Sequence, residues 1–131
     1  MKTLIVEDDF TSRLLLQEIL KGYGEAHIAV NGKEAVKAVR AAIDSGQPYD
    51  LVCLDIMMPE MDGYEALKQI RRMEETRGIL DDRAVKVFMT TALDGVRSVS
   101  EAFRCLCDAY LCKPIEKVKL QDQLRAFSLI A

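Results

Sequence analysis

The chain is short of several things, and each shortage removes a class of function. It holds one histidine in 131 residues. That residue, His27, sits in an apolar, strand-like run, which argues against a histidine phosphotransfer domain or a His-box kinase. No apolar stretch approaches the roughly 20 residues that span a bilayer, so no membrane partner is expected. No sustained Lys/Arg stripe accompanies the net charge of -3, so nucleic acid is not an expected partner either. The first residues, MKTLIVEDD, reach acids after a short apolar run, which is not the pattern of a signal peptide. The four cysteines, Cys53, Cys105, Cys107 and Cys112, lack the paired C-x-x-C spacing of zinc sites. They read as reduced, buried or half-buried thiols that behave as small hydrophobes, and this use of cysteine suggests a cytoplasmic protein.

What is present is a core. Half of the residues are hydrophobic and 30% are charged, which suits one compact domain over 1–131. Apolar strand-like runs at 3–6, 27–30, 51–54, 85–89 and 109–112 alternate with stretches of helical period. Leu15, Leu16, Ile19 and Leu20 mark the first helix, over 11–21. Asn31, with Glu34 three residues on, predicts the cap of a second helix, whose apolar face is Ala35, Val36, Val39 and Ile43. Ala66, Leu67, Ile70 and Met73 face inward from a third, over 63–77. Val96, Val99, Phe103 and Leu106 predict a fourth, and Ile115, Val118, Leu120, Leu124 and Phe127 a fifth. Strands apolar on both faces and joined by helices imply a parallel sheet covered on both sides. The expected fold is an α/β, doubly wound, flavodoxin-like sandwich with strand order 2-1-3-4-5 and five helices.

In such sheets ligands bind beyond the carboxyl ends of the strands. The first strand runs into Glu7, Asp8 and Asp9, the third into Asp55, the fourth into Thr90 and Thr91, and the fifth into Lys113 and Pro114. Carboxylates from neighbouring strands about 4 Å apart repel by roughly 4 kcal/mol at an effective dielectric near 20. Either one protonates or a cation joins them. An all-oxygen set suits Mg²⁺, with Mn²⁺ as an alternative ion, and no His or Cys is placed for zinc. A carboxylate, a cation, an ammonium and a hydroxyl donor together suit phosphoryl transfer.

These residues resemble the receiver domain of bacterial two-component response regulators. The resemblance rests on Glu7-Asp8-Asp9, on DIMMPEMDG from Asp55 to Gly63, on Thr91-Ala92 and on Lys113-Pro114. It covers essentially the whole chain and is similar to the stand-alone, chemotaxis-regulator-like type with no output domain. It implies that Asp55 is the phosphoacceptor, that Asp8 ligates Mg²⁺ directly and Glu7 largely through water, and that the Met57 backbone carbonyl completes the set. It implies that Thr91 is the switch hydroxyl, Lys113 the active-site lysine and Tyr110 the aromatic switch residue, with a Lys113–Pro114 bond that is often cis in the family. The expected partners are a sensor histidine kinase or a His phosphotransfer protein. A target would read the face of the fourth helix, fifth strand and fifth helix, and the chain would be a monomer or a weak homodimer. It would act as a switch that catalyses only its own phosphorylation and dephosphorylation.

Blander roles stand beside these. Asp9 reads as a helix cap, as does Asp62 before Gly63. His27 reads as structural. Two other functions stay open. A haloacid-dehalogenase-like aspartyl phosphatase would use the same nucleophile and ion, but it normally needs an acid where Met57 stands. A pseudo-receiver would bind partners without phosphorylation, against the full set of Glu7, Asp8, Thr91 and Lys113.

In the family the positions two beyond the acceptor and two beyond the switch threonine flank the attacking water. Here they are Met57 and Leu93, both bulky and apolar, so hydrolysis should be slow. Each ~1.4 kcal/mol of barrier is about tenfold in rate. Met57→Asn combined with Leu93→Glu should shorten the phosphorylated lifetime several-fold, measured as phosphate release after donor removal at saturating Mg²⁺. A double variant no faster than the parent would place control of the lifetime elsewhere.

Overall fold

The computed structural model describes residues 1–58, 60–91 and 106–131. Five strands, β1 (Thr3–Val6), β2 (Ala26–Ala29), β3 (Leu51–Asp55), β4 (Lys86–Thr91) and β5 (Ala109–Cys112), form one parallel sheet in the order β2-β1-β3-β4-β5. Among the described residues four α-helices accompany it: α1 (Phe10–Leu20), α2 (Gly32–Asp44), α3 (Gly63–Thr76) and α4 (Lys117–Ala126), the last being the fifth helix expected from sequence. The expected helix bearing Val96, Val99 and Phe103, together with Pro59, Ala92, Leu93 and Cys105, lies outside the described residues.

The pleat sorts side chains between two layers. Leu4, Val6, Val52, Leu54, Val87 and Met89 meet Ala35, Val36 and Val39 of α2 and Ala66, Leu67 and Ile70 of α3. Ile5, Leu51, Cys53 and Phe88 face the other way, onto Leu16, Ile19 and Leu20 of α1 and Leu120 and Leu124 of α4. Burying each such side chain contributes about 2 kcal/mol, and the alternation is why a one-residue slip of any strand is forbidden. No helix among the described residues is long and apolar enough to cross a membrane.

Helix ends follow the capping chemistry. Asp9, Asn31 and Asp62 each accept a hydrogen bond from the backbone three residues on, at Ser12, Glu34 and Glu65. The Val30 amide turns to the Glu34 carboxylate, so β2 closes at Ala29, one residue earlier than the apolar run suggests. β4 extends to Thr91 because Thr90 and Thr91 pair with Leu111 and Cys112 of β5. Two apolar helix positions expected to face inward do not join the core: Leu15 and Val118 are exposed, since each lies beside its helix's buried stripe rather than on it. Cys53 is buried, with a thiol that burial pushes up to about 12, and Cys107 is half-buried. Cys112, expected to be at least half-buried, is exposed at the end of the edge strand.

At the edge of the sheet away from the acids, a charged network ties three elements together. Arg71 donates to the Leu106 carbonyl (2.7 Å), the Val85 carbonyl (2.8 Å), Glu74 (2.7 Å) and Asp108 (3.1 Å). Glu74 accepts from the Val85 amide at 2.7 Å, and Asp108 from the Val87 amide at 2.8 Å. Every polar group here has a partner, so removing one strands the others. Glu74→Ala should lower unfolding free energy by about 3 kcal/mol in urea titration. A loss under about 1 kcal/mol would mean that water replaces the carboxylate.

Candidate functional site

At the carboxyl edge the apolar strands hand over to groups that need partners. Past Val6 come Glu7 and Asp8, β3 closes on Asp55, β4 closes on Thr91, and Lys113 follows β5. Ladder bonds continue beyond the strands: Glu7 N donates to Ala29 O (3.0 Å), Ile56 N to Thr90 O (3.0 Å) and Lys113 N to Thr91 O (2.7 Å). The backbone therefore fixes these residues relative to one another.

The side chains converge. Lys113 Nζ lies 2.9 Å from Glu7 Oε2 and 3.3 Å from Asp55 Oδ2, and it donates to Glu7 Oε1 at 3.0 Å. Oxygens of Glu7, Asp8 and Asp55 all lie within 4.8 Å of one another. Glu7 and Asp55 are buried, while Asp8 is exposed. At that spacing the buried pair Glu7 and Asp55 repels by about 3 kcal/mol at an effective dielectric near 20, whereas solvent screens the exposed Asp8 much more strongly. Among the described residues one ammonium, Lys113, is set against the three negative charges.

Titration directions agree with a surplus of negative charge. Burial pushes the Glu7 carboxyl above its usual range; the hydrogen bond from Lys113 pulls it back, and the Asp55 charge raises it again. Burial by itself would lower Lys113, but the Glu7 hydrogen bond and the charges of Asp55 and Glu7 outweigh it and hold the ammonium above its usual range. Glu7 Oε2 is buried and receives no aligned hydrogen bond, although Lys113 Nζ is 2.9 Å away. Three carboxylates gathered about one ammonium, an all-oxygen set, fit a hard divalent cation. Glu7, Asp8 and Asp55 could hold one.

The remaining expected residues take different places. Met57 has a solvent-exposed side chain, and its amide donates to Asp55 Oδ1 at 3.3 Å. Thr91 is buried one rung beyond the partner of Asp55. That partner is Thr90, whose buried hydroxyl has no hydrogen-bond partner among the described residues. Tyr110 is half-buried opposite Met89, packs on the core beneath the edge, and shares a side-chain hydrogen bond with Cys107. Lys113–Pro114 is cis. Asp62 caps α3 at its Oδ1, away from any ligand role. His27 bonds Tyr49 (2.7 Å) and Glu25 (2.9 Å). Arg13 was not expected at the site, yet its guanidinium donates to the Glu7 carbonyl at 3.2 Å. Its place one turn after the capping Asp9 is the signal that could have found it.

A family model described as response regulator receiver domain matches residues 3–125. A two-component response regulator of Oryza sativa subsp. japonica, ORR41, is 35% identical over 133 residues, covering 98% of this chain and 95% of that one. The transcriptional regulatory protein ZraR of Klebsiella oxytoca is 35% identical over 119 residues, but the chain spans only 24% of its length. Among solved structures, the receiver domain of Saccharomyces cerevisiae Ssk1, in complex with the histidine phosphotransfer protein Ypd1, superposes with a TM-score of 0.81 at 27% identity, covering 98% of this chain and 89% of that one. The receiver domain of the sensor histidine kinase PA1611 from Pseudomonas aeruginosa PAO1, with magnesium coordinated in its active-site cleft, gives 0.76 at 27% identity, covering 97% of each chain.

The clustered charge has a cost that a single substitution relieves. Asp8→Asn removes about 1 kcal/mol of repulsion in screened solvent, which should raise the metal-free thermal midpoint by about 2–4 °C. The further rise on adding Mg²⁺ should shrink. An unchanged or lower midpoint would mean that the acids do not repel one another in solution.

Proposed function

We propose that Asp55 accepts a phosphoryl group from a phosphohistidine, starting from one fact: the chain belongs to the response regulator receiver domain family of two-component phosphorelay signal transduction. The observation that carries the assignment is the single ammonium, Lys113 Nζ, lying within 3.3 Å of both the buried Glu7 and Asp55. Asp55 attacks phosphorus, the P–N bond breaks as an acyl phosphate forms, and the imidazole leaves carrying its proton. Lys113 pairs with the new phosphoryl oxygens and Thr91 donates its hydroxyl to them. Glu7, Asp8, Asp55 and the Met57 carbonyl would hold Mg²⁺ or Mn²⁺, which when bound neutralises charge on the transferring group.

The donor is a sensor histidine kinase or a His phosphotransfer protein, like the partner in the yeast complex. Tyr110 lies under the edge on β5, so movement of Thr91 towards a phosphoryl group opens space for it. The target would read a face that includes β5 and α4. The chain would work as a single cytoplasmic receiver domain over 1–131, as a monomer or weak homodimer, acting catalytically only on itself.

Incubation with phosphoramidate and Mg²⁺ should add one phosphoryl group by intact mass. The adduct should be absent in Asp55→Ala and when the metal is chelated. An adduct that persists in Asp55→Ala would move the acceptor to another residue.

A further inference from the structure

Gly32 opens α2 and is buried. Its backbone is not in the left-handed region, so conformational freedom does not explain a glycine there. Space does. A Cβ at this position would lie 2.3 Å from the Met61 carbonyl oxygen, 2.8 Å from Met61 Cβ and 2.9 Å from Met61 Cγ. The nearest of these is backbone, which cannot swing aside as a side chain can. The contact is also bonded: Gly32 N donates to Met61 O at 3.2 Å.

Met61 lies in the loop that runs from Asp55 to Gly63 and carries Met57. The far end of this loop is closed in the same way. Gly63 N donates to Ile56 O at 2.9 Å, and a Cβ on Gly63 would sit 2.4 Å from Asp55 O. Between the two clamps Glu60 has φ of 68°, a left-handed conformation that a non-glycine residue keeps only when its surroundings impose it. Three residues before Gly32, Ala29 accepts at its carbonyl from the Glu7 amide at 3.0 Å. The turn between them is pinned by the Asn31 cap on Glu34 N (2.9 Å) and by Glu34 reaching back to Val30 N (3.3 Å). This turn contributes no carboxylate, yet it bonds both loops that do.

We infer that the junction of β2 and α2 is the abutment that holds the two acidic loops in register, with Gly32 a positioning residue for cation binding and phosphoryl transfer at Asp55. The inference rests on the assignment of Asp55 as acceptor. A methyl group at Gly32 forces the Met61 carbonyl outwards. With Gly63 clamped, the displacement is taken up by the residues between, Met57 among them. Misplacement on the ångström scale is enough to cost large factors in a transfer that depends on positioning.

The test compares the parent, Gly32→Ala and Val39→Ala, which deletes core volume from α2 beside Pro48, Tyr49 and Val85, at the other end of the strands from the loop. Mg²⁺ affinity is measured by calorimetry and phosphorylation rate with phosphoramidate at saturating Mg²⁺. Amide resonances of Ile56, Met57 and Gly63 are recorded without metal. Gly32→Ala should bind Mg²⁺ at least fivefold more weakly, transfer phosphate about tenfold more slowly, and shift the three resonances. Val39→Ala should stay within twofold of the parent and leave the resonances in place. Gly32→Ala within twofold of the parent, or equal losses in Val39→Ala, would overturn the inference. A parent that neither binds Mg²⁺ nor takes phosphate would instead overturn the assignment of Asp55, and the inference with it. Should Gly32→Ala not fold, Asn31→Ala loosens the same turn without adding an atom at Gly32. Its Mg²⁺ affinity should fall at least twofold, and an unchanged affinity would overturn the inference equally.

Discussion

Three carboxylates share one ammonium at the carboxyl edge of this sheet, and the rest of the molecule is arranged around that imbalance. Glu7 and Lys113 lie 106 positions apart in sequence and 2.9 Å apart in space. Only the parallel order β2-β1-β3-β4-β5 brings the ends of the first, third and fifth strands to one edge. The two core layers hold the strands in register so firmly that the repulsion cannot relax by slippage. Among the described residues Lys113 is the one cation paired with these carboxylates. The deficit is left for a cation and, transiently, for a phosphoryl group.

The opposite edge makes the contrast plain. There Arg71, Glu74 and Asp108 satisfy one another and the backbone of Val85, Val87 and Leu106. A saturated network rigidifies; an unsaturated one binds. The same residue types serve stability at one end of the strands and chemistry at the other. The difference lies in the balance of charge: two carboxylates on one guanidinium there, three clustered about one ammonium here.

Much of this was legible in the chain, for physical reasons that differ by residue. Asp55 was legible because an apolar run that stops at an acid has few structural explanations. The doubly wound parallel sheet followed from strand–helix alternation and the handedness of crossovers, which allow the order 2-1-3-4-5 as one of two common forms. Asn31, Asp9 and Asp62 were legible as caps because capping is local. What pattern could not carry was anything set by distant partners. Val30 leaves its strand for the Glu34 carboxylate, and Leu15 and Val118 miss the core by a fraction of a helical turn. The Arg71 network joins residues 37 positions apart and reads in sequence as ordinary helix-surface charge. Arg13 and Gly32 were silent because their roles depend on one carbonyl each, Glu7's and Met61's.

The central claim is that Glu7, Asp8 and Asp55 form one cation site beside Lys113. Its most direct measurement is paramagnetic line broadening of assigned backbone amides on titration with Mn²⁺. The account predicts saturable broadening centred on residues 7–9, 55–57 and 113, reversed by excess Mg²⁺. Broadening centred on other exposed acids, such as Asp81 and Asp82, or broadening that never saturates, would contradict it.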